Sequence, residues 1–163
     1  EEVLGELTNL FSDGIKYIES TDLSGALKGR QNVYNHLDML GREAQKSITL
    51  ITTADGLSRK LEVLLPSLEK AKKRGVEIKI VAKITAENKS VAKDFAKVAE
   101  VKDCGNLQAR FMIVDGEQLM FMLLNDQEVH PTYDIGVWLN TEFFAKALEQ
   151  LFNVAWKGFK AVK

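Results

Sequence analysis

Apolar residues recur at intervals of three and four over residues 30–45. Val33, Leu37, Leu40 and Ala44 fall on one face and Asn35, Asp38 and Arg42 on the other, which predicts an amphipathic helix. Residues 47–52 alternate and concentrate β-branched side chains, so a first strand is expected there. A second strand is expected over residues 76–83, parallel to the first if the crossover between them is right-handed. In that crossover, residues 57–65 read as a short helix, and Pro66 fits the first turn of another that runs to Arg74 and closes at Gly75. Val91, Phe95 and Val98 define a further helix, followed by a short strand over residues 100–102. Phe111 to Val114 is a continuous β-prone run, Asp115-Gly116 is a turn signal, and residues 119–124 form a second run, which together predict a hairpin.

Beyond the hairpin, residues 125–131 are a polar loop and residues 133–139 a strand with Asp134 near its entrance. Thr141 caps a final helix whose packing face reads Phe144, Leu148, Leu151, Phe152, Ala155, Trp156 and Phe159. At the other end, residues 2–11 gather Val3, Leu4, Leu7, Leu10 and Phe11 on one helical face before Ser12-Asp13-Gly14. That face either packs back on the domain or continues a dimerising helix. Residues 15–18 fit strand or helix, and residues 20–25 read as a turn-rich loop. The expected division is an N-terminal helix and linker over residues 1–24 and one α/β domain over residues 25–163.

With 163 residues and 45% hydrophobic content, the chain can bury one proper core but not two large ones. It holds no run of about eighteen apolar residues and no basic segment leading into an apolar one, so neither a membrane span nor a secretory signal is read. A formal net charge of −1 gives no overall basic footprint for nucleic acid. Lys70, Lys72, Lys73 and Arg74 instead match the negative end of their helix. Cys104 is the one cysteine, which excludes an intrachain disulfide and reads as a small buried hydrophobe. The chain begins Glu1-Glu2 without Met, as a piece of a longer product would.

Gln108, Arg110, Asp115 and Asn125 carry a resemblance. Phospholipase D-like proteins place His-x-Lys-x-x-x-x-Asp on one strand and the Asn of Gly-Ser-x-Asn on the next. Here Gln108 stands at the His position, Arg110 at the Lys, Asp115 at the Asp and Asn125 at the Asn, with Met122 and Leu123 at the Gly and Ser. The His is that family's nucleophile, and the amide of Gln108 cannot form the covalent phospho-intermediate. A broader likeness rests on Lys28-Gly29-Arg30, residues 44–48, residues 73–79, residues 109–116 and the closing Phe152 to Trp156. Over residues 25–158 the chain resembles the effector domain of TrmB-like transcriptional regulators. The resemblance implies a phospholipase D-like single half with a mixed sheet flanked by helices, lacking catalysis, in a mostly archaeal, cytoplasmic group. It also implies a homodimer, and contact with DNA only through a winged-helix domain ahead of this chain.

Loops at the carboxyl ends of α/β strands commonly hold ligands. Thr52 and Thr53, Lys83, Gln108, Arg110, Asn125 and Asp134 are therefore expected to converge on one rim. In the functional reading Arg110 binds an anionic or sugar-like small molecule, with hydrogen bonds from Gln108 and Asn125 and further contacts from Thr53, Lys83 and Asp134. In the other reading Arg110 pairs with Asp115 or Asp134 in a relic cleft. His36 and His130 lack the spacing of the family nucleophile, and no catalytic residue, cofactor or metal is expected. Residual phosphodiesterase or nuclease activity and a purely structural dimerisation module are the rival functions.

Overall fold

A computed structural model describes residues 23–162, together with Gly5. Gly5 apart, the amphipathic segment read over residues 2–11 and the segment 15–18 lie outside the described residues. The elements run β1 (Ser24–Lys28), α1 (Arg30–Glu43), β2 (Ser47–Thr52), α2 (Ala54–Lys73), β3 (Glu77–Ala82), α3 (Lys89–Ala96) and β4 (Glu100–Asp103). There follow β5 (Phe111–Val114), β6 (Gln118–Met122), a 3-10 turn (Pro131–Tyr133), β7 (Ile135–Asn140), α4 (Glu142–Trp156) and β8 (Lys160–Ala161). The strands form one sheet in the order β1-β7-β6-β5-β2-β3-β4-β8. β3 lies parallel to β2 and to β4, as the crossover rule requires, while β5, β6 and β7 form the antiparallel half.

Alternation along the strands divides the core. Ile48, Leu50, Ile78, Ile80, Met112 and Val114 face one side, where Val33, Leu37 and Leu40 of α1, Leu57, Leu64 and Leu68 of α2, and Phe95 of α3 meet them. Ile51, Val81 and Ile113 face the other side, against Ala145, Phe152 and Trp156 of α4. The loops at the carboxyl ends of β2 and β3 and the start of β5 thereby gather at one end of the sheet.

Three local readings change. Residues 54–73 form one helix with Pro66 inside it, rather than two. Pro66 lies on the exposed face, where a carbonyl that has lost its donor can bond water, while Leu64, Ser67 and Leu68 beside it are buried. Packing of α2 against α1 outweighs the local break.

Ser24 and Gly25, read as loop, begin β1 in register with Leu139 and Trp138 of β7. The segment has no β-branched residue, and its pairing comes from the neighbouring strand. A Cβ at Gly25 would sit 2.4 Å from the Trp138 indole nitrogen, so glycine admits that ring.

The packing face of α4 is narrower than its apolar content suggests. Ala145, Phe152 and Trp156 are buried, but Phe144 is 46% exposed and Leu151 69%, alongside Phe143 at 89% and Val154 at 73%. A single helix on a sheet covers one stripe; Phe143, Leu151 and Val154 fall outside it, and Phe144 lies at its edge against the Phe121 ring.

Replacing Pro66 by Ala restores an N–H and removes the ring from a helix that already accommodates it. Because proline also restricts the unfolded chain, the expected net gain is roughly 1–2 kcal/mol. Equilibrium urea unfolding of Pro66→Ala checks it, and an unchanged midpoint would place the helix break elsewhere.

Candidate ligand-binding cleft

Thr53 follows β2 and caps α2. Its hydroxyl accepts the Gly56 N–H at 3.0 Å and donates to Oδ2 of Asp126 at 2.6 Å, tying the helix start to the loop after β6. Arg59, one turn along α2, pairs with the same oxygen and donates through Nε to the Tyr34 hydroxyl at 3.1 Å. Burial pushes the Asp126 carboxyl up, but the Thr53 hydroxyl and the Arg110 and Arg59 guanidiniums outweigh it and hold the group below the ordinary aspartate range. Its Oδ1 is buried without a hydrogen-bond partner among the described residues.

Arg110 enters just before β5 and is almost wholly buried. Its Nη1 and Nη2 reach the two oxygens of Asp134 at 3.0 and 2.8 Å, and Nη1 also donates to the Leu124 carbonyl at 2.7 Å. Arg30, at the start of α1, adds Nε to Asp134 at 3.2 Å and Nη2 to the Asp126 carbonyl at 3.3 Å. Burial would raise the Asp134 pKa, yet the fork from Arg110, with help from Arg30, holds it low. Arg110 keeps one donor unused, since Nε is buried with no partner among the described residues.

Lys60 lies under this network, fully buried, with Nζ 2.9 Å from the Thr52 hydroxyl, 3.5 Å from the Gly56 carbonyl and 4.7 Å from the centre of the Tyr34 ring. Burial, together with the nearby Arg110 and Arg59 charges, lowers its pKa to about 7, and Asp126 and Asp134 only partly compensate.

Two adjoining cavities open at this end of the sheet. One of about 180 Å³ is lined by Thr53, Gln108, Arg110, Leu123, Leu124 and Asn125 among others. The next, of about 320 Å³, shares Thr53, Gln108 and Asn125 and adds Lys83, Asn106 and Gln127. Five of the six expected binding residues therefore line the joined cleft. Asp134 stands behind it as the partner of Arg110, fully buried, and Thr52 is taken by Lys60.

Asp115 lies at the far end of β5 with φ 56°, accepting the Gln45, Lys46 and Ser47 backbone N–H groups at 2.6–3.1 Å. It fastens the hairpin turn to the entrance of β2 and takes no part in the cleft. His36 stacks on Trp138, and His130 caps the 3-10 turn. Cys104 is buried, and no cluster of metal-ligating side chains occurs among the described residues.

Sequence reading missed Arg59, Lys60 and Asp126, and used Arg30 only as part of the family resemblance. Lys60 carries a legible signal. The buried stripe of α2 runs Leu57, Lys60, Leu64, Leu68 and Ala71, so a lysine occupies a position where the helical repeat calls for an apolar side chain. Dividing the helix at Pro66 hid that stripe.

The sequence pattern of the N-terminal subdomain of the effector-binding domain (EBD) of the transcriptional regulator TrmB matches residues 26–162. The chain belongs to this family. Among solved structures, the TrmB-family domain is similar to TrmBL2, described as an archaeal chromatin protein with a novel mode of DNA binding. The TM-score is 0.67 at 20% identity, over 99% of this chain and 62% of that one. It is also similar to Nuc, a phospholipase D family member from Salmonella typhimurium, with a TM-score of 0.65 at 17% identity over 85% of this chain and 97% of that one. NucT from Helicobacter pylori gives 0.63 at 10% identity, over 85% and 98% of the two chains. These likenesses establish a phospholipase D-like fold. No curated protein sequence matches. The TrmB-family domain thus spans less than two thirds of the TrmBL2 chain, and among its described residues no helix is long and apolar enough to cross a membrane.

The buried amine sets a pH dependence. Lys60 titrates near 10.5 in an unfolded chain and near 7 in the fold, so between these values the unfolded state holds the extra proton and stability rises with pH. Below pH 7 both states are charged and the full cost of burying the ammonium is present. Lys60→Met in this TrmB-family domain is expected to flatten the rise in unfolding free energy between pH 6 and 10 by about 4 kcal/mol. Urea unfolding across that range measures it, and a pH profile parallel to the parent's would mean that Lys60 keeps an ordinary pKa.

Proposed function

We propose that this chain is the catalytically inactive, ligand-sensing and dimerising effector domain of a TrmB-like transcriptional regulator. Its DNA contacts lie in a winged-helix domain outside this sequence, and it acts in the cytoplasm. The observation that carries the reading is Arg110. At the position of the family's catalytic lysine it is bound in a fork to Asp134 with one donor unused, while an amide, Gln108, holds the nucleophile's position. A primary amide has no nucleophilic nitrogen to accept a phosphoryl group, whereas a cleft lined by amides and a partly used guanidinium suits recognition of an anionic or sugar-like small molecule.

Leu107, Leu123 and Leu124 stand exposed around this cleft at 48%, 59% and 38%. Such a rim supports pairing of two protomers beside the ligand. A ligand that binds one packing of the protomers better than another shifts their DNA-binding domains between two spacings. Gel-shift titration of the full-length regulator against a metabolite panel tests this. One or more metabolites are expected to change operator affinity at least fivefold in the parent and not in Arg110→Ala, and no effect across a broad panel would overturn the sensing role.

The phospholipase D-like fold keeps a second reading in view, a residual phosphodiesterase. With Gln108 at the nucleophile's position, turnover of bis(4-nitrophenyl) phosphate by this chain is expected to equal the buffer rate, with or without chelator. Metal-independent release of nitrophenol that Arg110→Ala abolishes would replace the sensing reading with an enzymatic one.

A further inference from the structure

We propose that the outward face of α4 is a self-pairing surface, on which a second copy of this chain lays its own α4 antiparallel about a two-fold axis. This surface is separate from the cleft and from its leucine rim. Ala145, Phe152 and Trp156 bury one stripe of the helix against the sheet. Phe143, Ala147, Leu151 and Val154, spaced four, four and three apart, form another stripe, and all four are exposed. Phe144 and Ala155 border it. At about 100° per residue, this open arc of about 120° carries no polar side chain along its length, and Lys146, Gln150 and Lys157 fall on the flank beside it. The solvent side of a surface helix is ordinarily the polar one.

The area suits a pair of copies. A fully open large side chain offers roughly 150–200 Å², so at the exposures given above Phe143, Phe144, Leu151 and Val154 leave about 500 Å² of apolar surface open. Monomers rarely leave a contiguous patch of that size without a use for it. Two such faces together bury about 1,000 Å², the size at which specific interfaces begin, before any flanking residue is added.

The stripe also fits its own reverse. From the helix start it runs Phe143, Ala147, Leu151, Val154 and, just past the helix end, Gly158, where an added Cβ would meet nothing nearer than the Ala155 carbonyl at 3.6 Å. Laid antiparallel with the axis beside Leu151, the Phe143 ring of one copy covers Gly158 of the other and Ala147 meets Val154, large against small at each level. Glu142 and Lys157, at opposite ends of the helix, come together in that arrangement, whereas a parallel one sets like charge against like. The stripe itself holds no charge or hydrogen-bonding group with which to select an unlike partner.

Sedimentation of this chain across the micromolar range tests the inference, with Leu151→Arg, Leu151→Glu and Leu123→Arg measured alongside. Residue 151 is exposed, so the thermal melts of its variants are expected to show a folded domain. Each of Leu151→Arg and Leu151→Glu alone is expected to halve the mass of the assembled species. An equimolar mixture of the two is expected to restore it, because the axis sets residue 151 of one copy beside that of the other. A mass unmoved in both variants, or a mixture that stays dissociated, would overturn the pairing. A parent that is monomeric throughout would overturn it too, and a melt lowered by Leu151→Arg in that monomer would mean that the face is covered from within the chain. Leu123→Arg, in the rim of the cleft, tests the dimer of the preceding reading separately. A mass that falls only in that variant would leave that reading standing and remove the α4 interface.

Discussion

The bidentate pair between Arg110 and Asp134 joins two segments of the chain across the intervening strand β6. Asp134 sits before β7 and Arg110 before β5, and the same carboxylate takes Arg30 from the start of α1. Breaking one partner of such a buried pair leaves an uncompensated charge, a cost of about 3–5 kcal/mol, so each member holds the others in place. Around it the Leu124 carbonyl, the Asp126 loop and the Thr53 cap are drawn in by hydrogen bonds. The floor of the cleft is therefore a polar lattice, while the layers on both faces of the sheet are apolar.

That lattice is unequal in its satisfaction. Asp134 is saturated by two guanidiniums, whereas Arg110 keeps Nε and Asp126 keeps Oδ1 unbonded among the described residues. Native interiors bond nearly all such atoms, so two together are a local cost that the fold carries behind the cleft. Lys60 adds to the same imbalance from below, a charge or near-charge held in the core against its desolvation cost. An arrangement selected for stability alone would have placed an apolar side chain there.

The phospholipase D-like frame explains why these groups meet. In the antiparallel half, β5, β6 and β7 return Arg110, Leu124 and Asp134 to one end of the sheet; in the parallel half, β2 and β3 deliver Thr53 and Lys83 to the same end. Asp115 serves the architecture, since its carboxylate accepts backbone donors at the entrance of β2, at the far end of β5 from the cleft.

By itself the sequence determined the α/β class, the parallel crossover, the hairpin and five residues lining the cleft. Each of these follows from near neighbours, such as β-branched runs, three-and-four spacing and turn signals, or from a signature with fixed offsets. The Arg110 partner was narrowed only to Asp115 or Asp134, because charge fits both and proximity along the chain favours Asp115, the one it does not pair with. Tertiary structure decided it, and also decided that Pro66 stays inside α2, that Gly25 joins the sheet under Trp138, and that Leu151 faces outward. It alone brought Arg59 and Asp126 together across 67 positions of the chain. Long-range pairing of charges depends on which loops the sheet order sets side by side, and no local pattern in the sequence carries that information.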